Sequence, residues 1–324
     1  MSGGRAIFYA ILFWALGVLV LFGAYAFREA QSRPVYGFTF SSMYAESLGL
    51  DAQETLAATL DAFHPAFVRF PLYWDAIERE SDVFVWNDVD LAVAKMQSAD
   101  VSIHMVIGAK VPRWPECFVP AWVNSRDRDV YRESLLAYID KAVIRYAPVV
   151  DVWQVENELF FAFGDCPDPD IDLLKEEIDL VRTLDPDAEI QMTVSGEQQM
   201  WGSVAPFADR IGVSMYRKTS HSLFGSFTLP VPTGWYVLMR VPFLFSHDVV
   251  ISELQMEPWF TSHPRYLSSK AASLLFTSQD ALNNLAYARA AGFSEVSFWG
   301  VEWWYYLQQH GYPELWDTMS EVVK

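Results

Sequence analysis

The stretch DVWQVENELFF, residues 151–161, begins as a buried strand and ends as something else. Val152, Trp153, Gln154 and Val155 follow one acid, and Glu156, Asn157 and Glu158 then arrive together before the chain returns to Leu159, Phe160 and Phe161. Acidic side chains are rarely fully buried unless something pairs with them or uses them. An apolar strand that closes on two carboxylates and an amide therefore points to chemistry at its C-terminal end.

Seven further segments read as strands: 35–41, 66–70, 101–108, 189–195, 210–216, 249–254 and 295–301, with 149–156 as the fourth in chain order. Most are β-branched or aromatic runs without full alternation, as parallel strands covered on both faces require. Helical periodicity fills the gaps. Asp51 and Glu54 open one helix, with Leu56, Leu60 and Phe63 on a stripe; Leu135, Ile139, Ala142 and Tyr146 form another. Leu174, Ile178 and Val181 make a third, stopped at Asp185-Pro186, and a fourth runs from a Ser278 cap to Gly292. Eight alternations predict an α/β fold, a (β/α)₈ TIM barrel, over residues 35–324. No Gly-rich phosphate fingerprint follows the first strand, which counts against a dinucleotide fold.

The 324 residues are 52% hydrophobic and 16% aromatic, enough for one large core. Thirteen tryptophans fit either an aromatic core or a cleft for a flat ligand such as a sugar. A formal net charge of -18 argues against nucleic acid as a partner, and an anionic glycan would need a local basic patch. Residues 6–26 form an uncharged, mostly apolar run long enough to span a bilayer. We expect residues 1–27 to be a transmembrane anchor or signal helix, followed by a tether at 28–34. Retention leaves a membrane-anchored, extracytoplasmic domain; cleavage after Ala26 would secrete it. Two cysteines, Cys117 and Cys166, sit in Pro-containing loops, where either a disulfide or two buried thiols fits.

Barrel enzymes carry their chemistry at the C-terminal ends of the strands. Strand four presents Asn157 and Glu158 there, and strand seven presents Glu253, placed by alternation on one face with Val249 and Ile251. Two carboxylates facing one cleft suit glycoside cleavage, in which one is protonated and the other ionised. The motifs VENEL, ISEL, FVRF, SMY and FWG, in that relation to the strands, resemble the clan A glycoside hydrolases, retaining (β/α)₈ enzymes. The resemblance spans roughly residues 35 to 307. It implies Glu158 as acid/base, Glu253 as nucleophile, Arg69 and Tyr216 as its supports, Asn157 on the sugar 2-hydroxyl and Trp299 as a subsite floor. It implies a carbohydrate substrate and no metal or organic cofactor.

Other polar residues are open to two readings. Glu156, two residues before Glu158, would point the same way on a regular strand, toward Arg69 or His104 or into the cleft. His104 is either a catalytic support or a core histidine, Glu302 lies where it would touch substrate hydroxyls, and Glu257 and Trp259 would shape the rim. Lys110, Arg113 and Trp114 would form a basic, aromatic wall, or be solvated. The strand-four motif continues Asn-Glu-Leu where many relatives have Asn-Glu-Pro. The segment 221–248 is apolar, as a barrel helix with its loop or as a membrane-facing lip carrying Phe224 and Phe227. Cys117 follows strand three and Cys166 strand four, so a disulfide beside the cleft is expected. Rival functions are a transglycosylase on an envelope glycan, a non-catalytic glycan-binding barrel and, more distantly, a metal enzyme using Glu156, Glu158 and His104.

Overall fold

The computed structural model describes residues 34–221, 225–260 and 264–323, with isolated positions 9, 13 and 17 before them. Eight parallel strands close into a barrel: β1 (Val35–Thr39), β2 (Phe67–Pro71), β3 (Ser102–Ile107), β4 (Val152–Val155), β5 (Glu189–Ser195), β6 (Arg210–Met215), β9 (Asp248–Gln255) and β10 (Glu295–Trp299). An antiparallel hairpin, β7 (Lys218–His221) and β8 (Gly225–Thr228), stands apart after β6. All eight predicted strands are present, each within a few residues of its predicted bounds.

Residues that face outward on the strands, such as Phe38, Met105 and Trp153, pack beneath the helices in one hydrophobic layer. Trp74 stacks on Tyr138 at 5.5 Å, and Phe63 meets Trp316 at 4.7 Å, so much of the tryptophan excess is core. Helix caps follow the sequence closely. Asp51 accepts from the Glu54 amide at 2.8 Å, and Asp170 from the Leu173 amide at 3.3 Å. The cap of helix Ser278–Ala291 is Thr277 rather than Ser278, because Thr277 and Asp280 satisfy each other's amides in a capping box. Gly292 ends that helix at φ 74, as predicted.

The barrel interior is polar rather than aliphatic. Thr39 Oγ1 lies 2.9 Å from Ser297 Oγ, and Gln191 donates to Gln154 Oε1 at 3.0 Å. Such a layer is stable only when every member is bonded, and it leads upward to the mouth.

The expected anchor lies outside the described residues except at Tyr9, Phe13 and Gly17, which are helical. Among the described residues no helix is long and apolar enough to cross a membrane.

Candidate active site

An open cavity of about 550 Å³ occupies the C-terminal mouth of the barrel. Asn157, Glu158, Tyr216, Glu253, Trp259 and Trp299 all line it. Arg69 lies beneath, 1% exposed, and organises the floor. Its guanidinium donates to Glu253 Oε1 at 2.8 Å, to Asn157 Oδ1 at 2.8 Å, to Gln154 Oε1 at 2.7 Å and to Thr39 Oγ1 at 3.2 Å. The Tyr216 hydroxyl donates to the other Glu253 oxygen at 2.9 Å. Both oxygens of Glu253 thus meet donors, one of them charged.

A β-bulge, which simple alternation cannot foresee, aims Glu253. Against β6, Val213 pairs with Ile251 but Ser214 pairs with Glu253; against β10 the register slips by one in the same place. Val249 and Ile251 belong to the outer hydrophobic layer, so a regular strand would send Glu253 there too. The extra residue turns it inward. The predicted common face of the three residues is corrected accordingly.

Glu158 is held differently. Ser214 donates to its Oε1 at 2.7 Å and its amide donates to Thr193 Oγ1 at 2.8 Å. Burial, then the charge of Glu253, pushes its carboxyl up to about 8. A general acid must carry its proton, so kcat/KM on aryl β-glycosides should stay level through neutrality and decline as pH rises past about 8. A descending limb in the ordinary carboxylate range would remove Glu158 from that role.

Asn157 is locked by its neighbours. Its Oδ1 accepts from Arg69, from Thr193 at 3.1 Å and from Gln154 at 3.2 Å, and its Nδ2 donates to Glu116 Oε2 at 3.1 Å. Lys110 is buried rather than solvated, and its Nζ donates to the carbonyls of Glu158 and Phe161, fixing the turn that follows the motif. Arg113 is also buried, between the rings of Tyr44 at 3.7 Å and Trp299 at 4.0 Å, paired with Glu257 and Glu302. Trp114, 62% exposed, and Trp259, 44% exposed, form the open rim.

The predicted placements of Glu156 and Glu302 are overturned, and His104 takes the core one of its two readings. Glu156 does not pair with Arg69 or His104 and does not line the cleft. It and Glu158 adopt left-handed torsions, φ 59 and φ 44, so alternation stops at Val155. Glu156 turns to the outside of the barrel, where its oxygens accept from the amides of Ala109 at 2.8 Å and Lys110 at 2.7 Å. A side chain at Gly108 would come within 2.4 Å of that carboxylate. His104 stacks on Phe67 at 4.5 Å near Glu295, low in the barrel beside the first residue of β4, and burial lowers its pKa to about 3. It is a core histidine. Glu302 is fully buried, bonded to Arg113 at 3.1 Å and to the Ser41 amide at 2.5 Å, and reaches no substrate space.

Two acidic lining residues were missed. Glu197 accepts from the Tyr236 hydroxyl and from the Tyr216 amide at 3.0 Å. It lies two residues past β5, so the strand-end rule applied to strand five would have found it. Glu116 lies on the third loop at φ 75, 7% exposed, against Gly164, where a Cβ would fall 2.5 Å from its own. Its one sequence signal is adjacency to Cys117, which is joined to Cys166 as expected. The hairpin side contributes Thr219 and Leu229 to the cavity wall. Phe227 is 40% exposed, while Phe224 lies outside the described residues.

Among the described residues no cluster of His, Cys, Asp and Glu fits a metal ion. No protein-family model matches the sequence, and no curated protein does. Solved structures share the fold. The chain is similar to a GH5_18 protein from Streptomyces cattleya solved with GlcNAc, at 14% identity and TM-score 0.57, over 83% of this chain and 71% of that one. It is also similar to the exo-β-1,4-mannosidase Op5Man5 from an Opitutaceae bacterium, at 15% identity and TM-score 0.56, over 83% of this chain and 52% of that one. Xylanase 10B from Thermotoga petrophila gives 15% identity and TM-score 0.51, over 82% and 81%. The barrel of this chain has the (β/α)₈ fold found in these clan A glycoside hydrolases.

Proposed function

We propose that the protein is a retaining glycoside hydrolase that cleaves β-glycosidic bonds by double displacement. The observation that carries this reading is the unequal environment of two carboxyls in one cavity. Glu253 accepts from the Arg69 guanidinium and the Tyr216 hydroxyl, whereas Glu158 accepts from Ser214 alone among the described residues and burial beside Glu253 pushes its carboxyl up to about 8. Glu253 would attack the anomeric carbon while Glu158 protonates the departing oxygen; Glu158 would then take a proton from the water that releases the sugar. Incubation with fluorinated activated glycosides, followed by peptide mass spectrometry, tests the assignment. A sugar adduct on the peptide carrying Glu253 supports it; turnover with an adduct elsewhere, or inverted product by NMR, defeats it.

We also propose that residues 6–26 hold this domain at a membrane, outside the cytoplasm. The uncharged run and the Cys117–Cys166 bond, which suits an oxidising compartment, support this. Release of the full chain into the soluble fraction on carbonate washing, uncleaved, would defeat the anchor.

A further inference from the structure

We propose that Glu116 contacts the substrate and makes the cavity selective for a sugar unit bearing a free amino group. This rests on the hydrolase reading for the position of the scissile bond and adds the class of sugar. Glu116, Glu158, Glu197, Glu253 and Glu257 all line the cavity. The nearby cations are already committed. Arg69 serves Glu253, Asn157 and Gln154, Arg113 serves Glu257 and Glu302, and the Lys110 ammonium is spent on two carbonyls.

Glu116 stands out within this set. Glu253 meets Arg69 and Tyr216, Glu158 meets Ser214, Glu197 meets Tyr236, and Glu257 meets Arg113. Glu116 accepts one bond, from Asn157 Nδ2 to Oε2, and no hydrogen bond from any described residue reaches its Oε1. The carboxyl is also placed with care. The Val111 amide donates to the Glu116 carbonyl at 2.8 Å, the Glu116 amide donates to Arg113 at 2.7 Å, and the next residue is tied down by the disulfide. Burial, then the charge of Glu253, pushes its carboxyl up to about 8, with Asn157 and Lys110 opposing the rise; a cation seated against it would lower that value again, so binding of the ammonium and ionisation of Glu116 go together.

A cation is the group such a position accepts best. A sugar hydroxyl would give Glu116 a neutral hydrogen bond, whereas an ammonium gives a charge-assisted one, roughly twice as strong. An ammonium beside Glu116 also offsets the repulsion between its ionised carboxyl and Glu253. The carboxylate of a uronic acid would meet the same field with the opposite sign.

The test compares nitrophenyl 2-amino-2-deoxy-β-glycosides with their 2-hydroxy and N-acetyl counterparts in the gluco, galacto and manno series, near neutral pH. Calorimetric binding of a β-1,4-linked glucosamine tetramer and of its N-acetylated form runs in parallel. The expected result is a kcat/KM preference for the amine of about ten-fold over the hydroxyl, lost in Glu116→Gln, from the difference between charged and neutral hydrogen bonds. A wild-type preference for the hydroxyl or N-acetyl form, or an equal loss on all three in Glu116→Gln, overturns the proposal while leaving the hydrolase reading in place. No turnover, with tetramer binding that depends on the free amine and on Glu116, supports the amine site and overturns the hydrolase reading. Neither turnover nor amine-dependent binding overturns both. The wild-type comparison needs no variant, so a poorly folding Glu116→Gln does not shield the idea.

Discussion

Glu253→Ala should leave no measurable turnover of an activated β-glycoside, and azide should restore it as a glycosyl azide of α configuration. The anion occupies the space vacated by the carboxylate and attacks from the same side, and no covalent intermediate follows, so the configuration inverts. Glu158→Ala behaves otherwise. With poor leaving groups it loses about 10²- to 10⁴-fold, the span of general acid–base catalysis. With a leaving group that needs no proton the first step should survive, and azide should then attack the proposed Glu253-linked sugar from the opposite face to give a β-glycosyl azide. The stereochemistry of the two azides, read by NMR, is the decisive measurement. The same azide from both variants would mean that the two carboxyls do not divide the work between opposite faces of the sugar.

The second large effect falls on stability. Arg69→Met removes four hydrogen bonds from the barrel floor and leaves the Glu253 carboxylate buried without its cation. Breaking one side of a buried charge pair costs about 3–5 kcal/mol, and we expect the urea midpoint to fall accordingly. The double variant Arg69→Met/Glu253→Gln should recover part of that loss, because the uncompensated charge is gone. Arg69→Lys should not restore the wild type, since a single ammonium cannot serve Gln154, Asn157 and Glu253 in their three directions. A midpoint for Arg69→Met within experimental error of wild type would show that the floor is hydrated and tolerant, contrary to the packing described.

The eight strands were legible because parallel strands buried on both faces must be written in β-branched and aromatic residues, whatever the loops do. Six site residues, Arg69, Asn157, Glu158, Tyr216, Glu253 and Trp299, were legible because polar residues at the closing end of such strands have few bland explanations. Depth along a strand was harder to read. His104 is interior and polar like Arg69, yet it sits beside Val152 at the start of β4, well below the mouth. Orientation failed wherever the backbone leaves regular torsions. Glu156 turned outward through a positive φ, and Glu253 reached the cavity through a bulge and not through the alternation expected to place it there. Loop residues failed for a third reason. Glu116 is placed by Gly164 and by a bond to Asn157, partners 48 and 41 positions away, which no local pattern encodes.

The glycines opposite two of these glutamates carry a consequence for tracing ancestry. Gly108 leaves room for the Glu156 carboxylate and Gly164 for the Glu116 side chain, at distances of 2.4 Å and 2.5 Å from where a methyl group would stand. A side chain at either glycine would collide with its glutamate, and positive φ of 120 at Gly108 and 88 at Gly164 disfavours one further. Homologues that carry Glu156 should therefore keep glycine at 108, and those that carry Glu116 should keep it at 164. Where overall identity to solved barrels is near 15%, those two glycine–glutamate pairs would anchor an alignment of this barrel's third and fourth loops independently of Glu158 and Glu253.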